Sequence, residues 1–421
     1  MATDRAMLLV GGTDTHVDRA KSLGLRIVLI QHPEKINSFQ TSRADAVLMV
    51  DYTDWDTVRP LAEAARRVWD FDTVVSLTEG GLETAARLND LFGFGGTPHH
   101  VVRRMRDKGE MRRHLAAAGS RLTVPSEPVD GPESLAAFGT RAGYPFIVKP
   151  TDTTASFGLQ RVDGPEDLPA LWERLEHLLG RRTDRGTSLF KVSGFLMEAY
   201  VDGPEFSVET FSFAGRHVVV AVTEKLVDEA HFAELGHAVP ARLSPDDRAA
   251  VTDAVREFLT TVGLTDGPGH TELRLSAKGP VVIESHNRIG GGTIGDLVRT
   301  AYGIDLAALG VAWPARLVDE LPDDPQPLAA ACTRFVLRSP GTVTAVAGLD
   351  EVAARPDVLS AHLSVRPGDT VRPVRDNWDR LGFVAVRADS TDAAVELCER
   401  LVDREIRIDV AAEAPAPEPV R

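Results

Sequence analysis

A chain of 421 residues, 43% hydrophobic and 26% charged, can bury several cores, and length alone predicts about two to four domains. Its formal net charge of −15 sets the overall field against a nucleic-acid backbone and leaves room only for a local cationic patch around a small anion. No run of eighteen apolar residues occurs, MATDRAMLLVGG shows no leader pattern, and Cys332 and Cys398 offer neither a disulfide framework nor a thiolate metal cluster, so a cytoplasmic protein without a membrane partner is expected.

In chain order, AMLLVGG (6–12), a helical THVDRAKSLG (15–24) and LRIVLIQ (25–31) form a β-α-β signal for a parallel sheet. DAVLMVDYTD (45–54), the helical VRPLAEAARRVW (58–69) and FDTVVSLTE (71–79) continue it, and the last ends on a polar cluster where such sheets place ligands. The first turn, GGTDTH, lacks the G-x-G-x-x-G of a dinucleotide site. After GFGG (93–96), VVRRMRDKGEMRRHLAAAG (101–119) reads as one basic helix, and a Pro/Gly-rich connection leads to YPFIVKP (144–150). A mixed α/β region then runs to about 315 around a polar loop, EHLLGRRTDRGTS (176–188). LPDDPQP (321–327) reads as a linker, ACTRFVLRSPGTVTAVAG (331–348) and TDAAVELCERLVDREI (391–406) as a small α+β domain, and AAEAPAPEPVR (411–421) as a disordered tail.

The densest polar cluster is VVIESHNRIGGG (281–292), which follows GHTELRL (269–275). A hairpin turning at AKGP (277–280) brings Glu272 roughly opposite Glu284, on a face shared with Arg274. Two carboxylates so placed repel unless a cation or proton lies between them, and Mg²⁺ bound through one or two carboxylates plus phosphate oxygens is the natural occupant. Solvated strand carboxylates would carry the same spacing. Lys149 ends an apolar strand and precedes a hydroxyl-rich loop, TDTTASFGLQ (151–160), two features suited to phosphate oxygens although the P-loop spacing is absent. Alternation in MEAYVDGPEFSVETF (197–211) puts Glu205, Ser207 and Glu209 on one face, with the backbone of Glu198 to Val201 free for a nucleobase and Glu205 for a ribose. Salt-paired strand carboxylates would look alike here too, and Lys108, Lys225 and His237 taken singly are ordinary residues of their segments. His286 alternates with Glu284 and Arg288, so all three face one way if the strand stays regular.

Taken together and in order, the parallel N-terminal domain, DKGEMRRHLAAAG (107–119), YPFIVKP, SFG (156–158), MEAYVDGPEFSVE (197–209), TEK (223–225), TELRL and IESHNRIGGG resemble the ATP-grasp enzymes over about residues 1–410. The resemblance implies an α/β and α+β architecture: a parallel-sheet N-terminal domain (1–112), a first lobe (113–190), a second lobe with the metal-binding strands (191–320) and a C-terminal α+β domain (328–410), ahead of the tail from 411. It implies that ATP lies between the lobes, with Lys108 and Lys149 on its phosphates, Glu198 and Val201 at adenine, and Glu205 at the ribose. The loop at Ser156 and Gly158 would cover the phosphates, Lys225 would reach the terminal phosphates, and Glu272 and Glu284 would hold Mg²⁺ or, in its place, Mn²⁺. Arg288 would face the acyl phosphate or substrate carboxylate, with Lys225 and His286 as the other catalytic residues.

The usual metal strand of that family reads Glu-x-Asn-x-Arg, but here His286 stands in the asparagine position and Asn287 is one residue late. Either a bulge turns Asn287 inward, or the strand is regular and His286 meets phosphate or substrate; the second keeps Arg288 correctly placed. TEK, FAELGHAVP (232–240), the glycines and PGTVTAVAG most resemble the L-amino acid ligases, with Glu224, His237, Gly290, Gly291 and Arg288 at a site for small carboxylate and amine substrates. A homodimer is compatible with this family. The implied reaction phosphorylates a carboxylate with ATP and then forms an amide, releasing ADP and phosphate. A biotin carboxylase would carry a glutamine-valine-glutamate-histidine run after the arginine, which this chain lacks. An amide ligase of purine or secondary metabolism, or a non-catalytic ATP-binding regulator, would share the same order of motifs.

Overall fold

A computed structural model describes residues 5–181, 191–228 and 233–411, so the expected polar loop lies mostly, and the tail beyond 411 wholly, outside the described residues. The N-terminal strands β1 (Ala6–Val10), β2 (Arg26–Gln31), β3 (Ala46–Met49) and β4 (Val74–Val75) form a parallel sheet in the order β3-β2-β1-β4. Their unbroken apolar runs arise because both faces are covered. Leu8 and Val10 pack toward Tyr52 and Phe71, whereas Met7 and Leu9 pack toward Val17, Ala20 and Val311.

The basic segment is two helices, not one: His99–Arg106 and Lys108–Ala117. Asp107 adopts an extended backbone and its side chain accepts from the Glu110 amide at 2.7 Å, an N-cap typically contributing about 1 kcal/mol. The break makes Lys108 the first residue of the second helix. Both helices pack on the second lobe, through Val101, Met105, Met111 and Leu115 against Phe258 and Val262, so the packing does not change at the expected boundary of 112.

Strands β5 (Ser126–Pro128), β6 (Phe146–Pro150), β7 (Gln160–Val162) and β8 (Phe195–Ala199) form the first lobe's sheet, in the order β5-β8-β6-β7. The expected end of this lobe at 190 is therefore too early, because β8 lies between β5 and β6. Next come β9 (Glu205–Phe213), β10 (Arg216–Asp228), β11 (Ala233–Val239), β12 (Gly267–Ser276) and β13 (Gly279–His286). The C-terminal strands are β14 (Ala330–Val336), β15 (Gly341–Ala347), β16 (Val358–Leu363), β17 (Thr370–Val371), β18 (Gly382–Ala388) and β19 (Arg407–Ala411).

The segment from 328 has a core of its own, around Val343, Val384 and Leu401, but its strands also extend the second lobe's sheet. β14 pairs with β11 from Gly236↔Arg334 to Val239↔Ala331, and one eight-stranded sheet runs β13-β12-β9-β10-β11-β14-β18-β16. Only β17-β15-β19 form a small sheet of their own. The linker-like LPDDPQP is a connection inside one architecture, since Arg216 holds both Glu320 and Asp323. Period-2 alternation in β9 divides the long sheet's two faces. Phe206 and Val208 enter the core under the helix Pro245–Val262, while Glu205, Ser207 and Glu209 turn toward the first lobe.

Candidate active site

The register of β12 against β13 sets Glu272 directly opposite Glu284, with Thr271 opposite Ser285 and His270 opposite His286. Leu273 and Val282 point into the core beneath, so both carboxylates stand on the face turned to the first lobe. The repulsion this creates is met by buried cations. Lys108 Nζ lies 2.9 Å from Glu284 and Lys225 Nζ lies 2.8 Å from Glu272. Burial alone would raise the Glu284 carboxyl, but Lys108 and His286 hold it well below the ordinary range. Burial would likewise lower Lys225, yet Glu205, Glu234 and Glu272 at 2.8, 2.9 and 2.8 Å raise it well above its ordinary value. Among the described residues no group of three metal-ligating side chains exists, so a two-carboxylate pair is what the chain itself can offer. Such a pair fits a hard cation that takes its remaining ligands from phosphate oxygens and water, and does not fit an all-protein cage.

Lys149, on β6, meets Glu198, on β8, at 2.8 Å. Glu198 also receives Arg112 Nε at 2.8 Å and Nη2 at 3.2 Å. Burial opposes ionisation of Glu198, but Arg112 and Lys149 bring its carboxyl down to about 2. Burial lowers Lys149 despite Glu198, because Arg112 and Lys108 add to that effect. The sequence reading missed Arg112, which is 1% exposed and also donates to the Val282 carbonyl at 2.7 Å. Its signal was present: Arg112 follows Lys108 by four residues and so shares its helix face. The Glu198 side chain therefore ties the two lobes together, leaving only its backbone for a base. The Val201 carbonyl accepts from Arg274 Nη1 at 3.2 Å, and Glu205 meets Arg274 Nε at the same distance.

The loop after β6 closes over this cleft. The Thr153 carbonyl accepts from Lys108 Nζ at 3.0 Å, and Ser156 has φ of 59°. Gly158 combines φ of 71° with a position where a Cβ would meet Pro150 Cγ at 3.0 Å, so a side chain there would be strained. The far end of the cleft is supplied from a region to which no role had been assigned. Asn377 donates from its backbone to the Ala155 carbonyl at 3.2 Å and from Nδ2 to Glu234 at 3.0 Å, and Arg380 pairs with Glu234 as well.

His286 and Arg288 do face the same way as Glu284. His286 Nε2 lies 3.4 Å from Glu284 and Nδ1 3.1 Å from Glu79, while Arg288 Nε donates to Glu79 at 2.6 Å. Asn287 points to the other side, donating to the carbonyls of Pro268 at 2.7 Å and Asp266 at 3.3 Å. The strand ends at His286 and the chain bends at Asn287 and Arg288, but Asn287 is not turned inward; the one register shift of the pair falls between Glu272 and Leu273, where Ile283 is left unpaired beside Glu284. Glu79 was visible only as the end of a polar cluster after β4. In the structure it collects His286, Arg288 and Arg106, which hold its buried carboxyl well below the ordinary range although burial opposes this.

Past Arg288, Gly290, Gly291 and Gly292 line a cavity of about 440 Å³ between the N-terminal sheet and the helix Ile294–Tyr302. Gly290 donates its N–H to Glu209 at 3.2 Å; Glu209 is fully buried and meets His270 Nδ1 at 2.7 Å; His270 Nε2 reaches Glu272 at 3.1 Å. A continuous chain of contacts thus links a cleft carboxylate to the glycine turn. Burial alone would lower His270, but Glu209 and Glu272 raise it to about 9.

Two expected substrate residues are not brought there. Glu224 lies on the opposite face of β10 from Lys225 and pairs with Arg242, because neighbouring strand positions alternate. His237 is buried, with Nε2 3.7 Å from Glu234 and its ring edge-on to Phe335 at 5.4 Å; burial lowers it to about 4.

The family model for the ATP-grasp domain matches residues 142–296, that for the ATP-grasp N-terminal domain 17–95, and that for the L-amino acid ligase C-terminal domain 2 334–411. The chain belongs to the ATP-grasp superfamily. Within it, the chain is an ATP-grasp ligase that resembles the L-amino acid ligases. An L-arginine-specific L-amino acid ligase of Bacillus subtilis is 25% identical, over 78% of this chain and 78% of its own length. An uncharacterized protein of Sinorhizobium fredii is 26% identical, over 95% of this chain and 82% of its own. The crystal structure of the L-amino acid ligase from Bacillus licheniformis superimposes with a TM-score of 0.81 at 23% identity, covering 97% of this chain and 99% of that one, so the ATP-grasp fold is shared along the whole length. No helix among the described residues is long and apolar enough to cross a membrane.

Proposed function

We propose that this ATP-grasp ligase activates the carboxylate of one amino acid as an acyl phosphate and joins it to the amine of another, releasing ADP and phosphate. The observation that carries this reading is the continuity of the charged cleft, through Glu284 and His286 at the end of β13 and Arg288 in the bend that follows, into the glycine-lined cavity. The match to the L-amino acid ligase C-terminal domain supports amino acids as the substrate class.

Lys108, Lys149 and Lys225 are the cations for the phosphates, Val201 and the Glu198 backbone the hinge for adenine, and Glu205 the ribose acceptor. Ser156 and Gly158 carry the loop over the phosphates. Glu272 and Glu284 would hold Mg²⁺, which when bound neutralises charge on the transferring phosphoryl group. A carboxylate oxygen held by Arg288 attacks the γ-phosphorus, and the bond to the ADP oxygen breaks. The amine then attacks the carbonyl carbon, loses a proton, and expels phosphate together with the attacking oxygen. His286, fixed between Glu79 and Glu284, faces that transfer together with Arg288. The closed loop keeps water from the acyl phosphate. The test is ADP release over a panel of amino-acid pairs with product mass measured alongside. Release that requires two amino acids and yields their dehydrated sum is expected; release with ammonia or bicarbonate and a single acid, or with no combination, contradicts the reading.

A further inference from the structure

Four cations line the glycine-lined cavity, and three of them are already matched. Arg288 is held by Glu79, Arg19 by Asp305 at 2.7 Å, and Arg299 by Asp296 at 3.1 Å. The fourth, Lys35, lies in the turn after β2 and forms no ion pair among the described residues, the cavity's carboxylates Glu79, Asp296 and Asp305 being taken by the three arginines; burial lowers its ammonium. Asp14, on the wall of the adjoining cavity of about 460 Å³, is engaged elsewhere, accepting from Asn37 and Gln40 at 2.9 Å each.

Lys35 lies on the wall common to the two cavities, together with Thr13, Thr15, Tyr52 and Thr78. These residues follow the carboxyl ends of β1, β2, β3 and β4. The order β3-β2-β1-β4 makes the crevice between β1 and β4 the switch point at which parallel sheets place ligands. The Tyr52 phenol, raised to about 12 by burial and by Asp51, stays a neutral donor. A half-buried ammonium among hydroxyl donors, with no acid to match it, is poised for an anion from outside the chain.

We propose that Lys35, with the hydroxyls of Thr15, Tyr52 and Thr78, binds a substrate carboxylate other than the one being activated. This rests on the amino-acid ligase reading. A spectator carboxylate has two sources there: the α-carboxylate of the amine-donating amino acid, or an acidic side chain on the activated one. Lys35 then determines which substrates the cavity accepts and takes no part in phosphoryl transfer.

The experiment compares wild type with Lys35→Met, and with Lys35→Arg to retain the charge. KM in ADP release is measured for amine donors as free amino acids and as carboxamides, and for aspartate and glutamate against asparagine and glutamine as the activated acid. Lys35→Met is expected to raise KM about ten- to hundredfold for whichever set carries the spectator carboxylate. KM for its neutral counterpart and for ATP should be unchanged, and Lys35→Arg should recover most of the loss. An equal acid-to-amide ratio in wild type and Lys35→Met overturns the inference while leaving the ligase reading intact. If wild type releases no ADP with any pair, the ligase reading fails by itself. Calorimetric titration of the same amino acids and carboxamides then decides the anion site, which is overturned if Lys35→Met binds the acids as wild type does.

Discussion

The cleft and the glycine-lined cavity next to it share Thr154 as a wall and are joined along the chain from Glu284 to Arg288, yet they are built in opposite ways. In the cleft, regular elements set each buried lysine against a carboxylate before any ligand arrives: Lys108, at a helix start, on Glu284, Lys149 on Glu198, and Lys225 on three acids. The cavity is assembled from strand ends and turns distant in sequence, and among its described residues one cation is left over. Charges paired within the fold are positioned in advance for a ligand of fixed shape such as a nucleotide, whereas an unmatched charge is where substrate identity is read.

If the cleft carboxylates serve the phosphates, removing one should abolish turnover and spare the fold. Glu284→Gln is expected to cut ADP release by about a hundredfold or more while calorimetry still detects nucleotide binding. Undiminished release would remove Glu284 from the metal site. The cleft's pre-paired charges should also show in stability. Arg112→Met strands part of the Glu198 charge and should cost about 3 kcal/mol in urea unfolding, with Lys149 limiting the loss; a change below about 1 kcal/mol would mean Lys149 alone suffices.

The neutral histidines flanking the two regions give a pH dependence of definite sign. His16, beside the cavity, and His237, beside the cleft, are both lowered to about 4 by burial, against 6.5 unfolded. The unfolded chain therefore takes up the proton first. The stability each contributes is complete above pH 6.5, falls as pH drops toward 4, and levels off below that. From pH 7.5 to 5 each should account for about 2 kcal/mol of the decline. His16→Asn and His237→Gln should each flatten the curve by that amount, and a variant curve parallel to wild type would contradict the assignment.

The smallest effect separates two adjacent glycines. A Cβ at Gly290 would stand 2.8 Å from Ile294 Cγ2 and 3.0 Å from Glu209 Oε2, whereas one at Gly291 meets nothing within 4 Å. Gly290→Ala should raise the amino-acid KM several-fold, about 1 kcal/mol in binding, with ATP KM unchanged, and Gly291→Ala should resemble wild type. Equal behaviour of the two would show that the turn adapts and that the chain from Glu272 through His270 and Glu209 does not position it.

The cleft was largely legible in the sequence because most of its residues lie on strands. The hairpin turn at 277–280 placed Glu272 opposite Glu284, and period-2 alternation sent Asn287 away from His286 and put Glu205, Ser207 and Glu209 on one face. The same rule, applied to TEK, would have excluded Glu224, which was assigned from resemblance instead. What escaped were contacts between distant segments. Arg112 reaches across to Glu198, Glu79 meets a strand more than two hundred residues later, and Asn377 arrives from a segment read as a separate domain. The continuity of sheets across the expected boundaries escaped for a related reason: the pairings of β8 with β6 and of β14 with β11 are long-range, and local patterning carries no signal of a partner.

The central claim, that a substrate carboxylate takes the γ-phosphoryl group, is most directly tested with an amino-acid substrate labelled with ¹⁸O in its carboxylate. The mechanism predicts one ¹⁸O in each phosphate released and unlabelled ADP. Phosphate free of label, or label appearing in AMP, would contradict it.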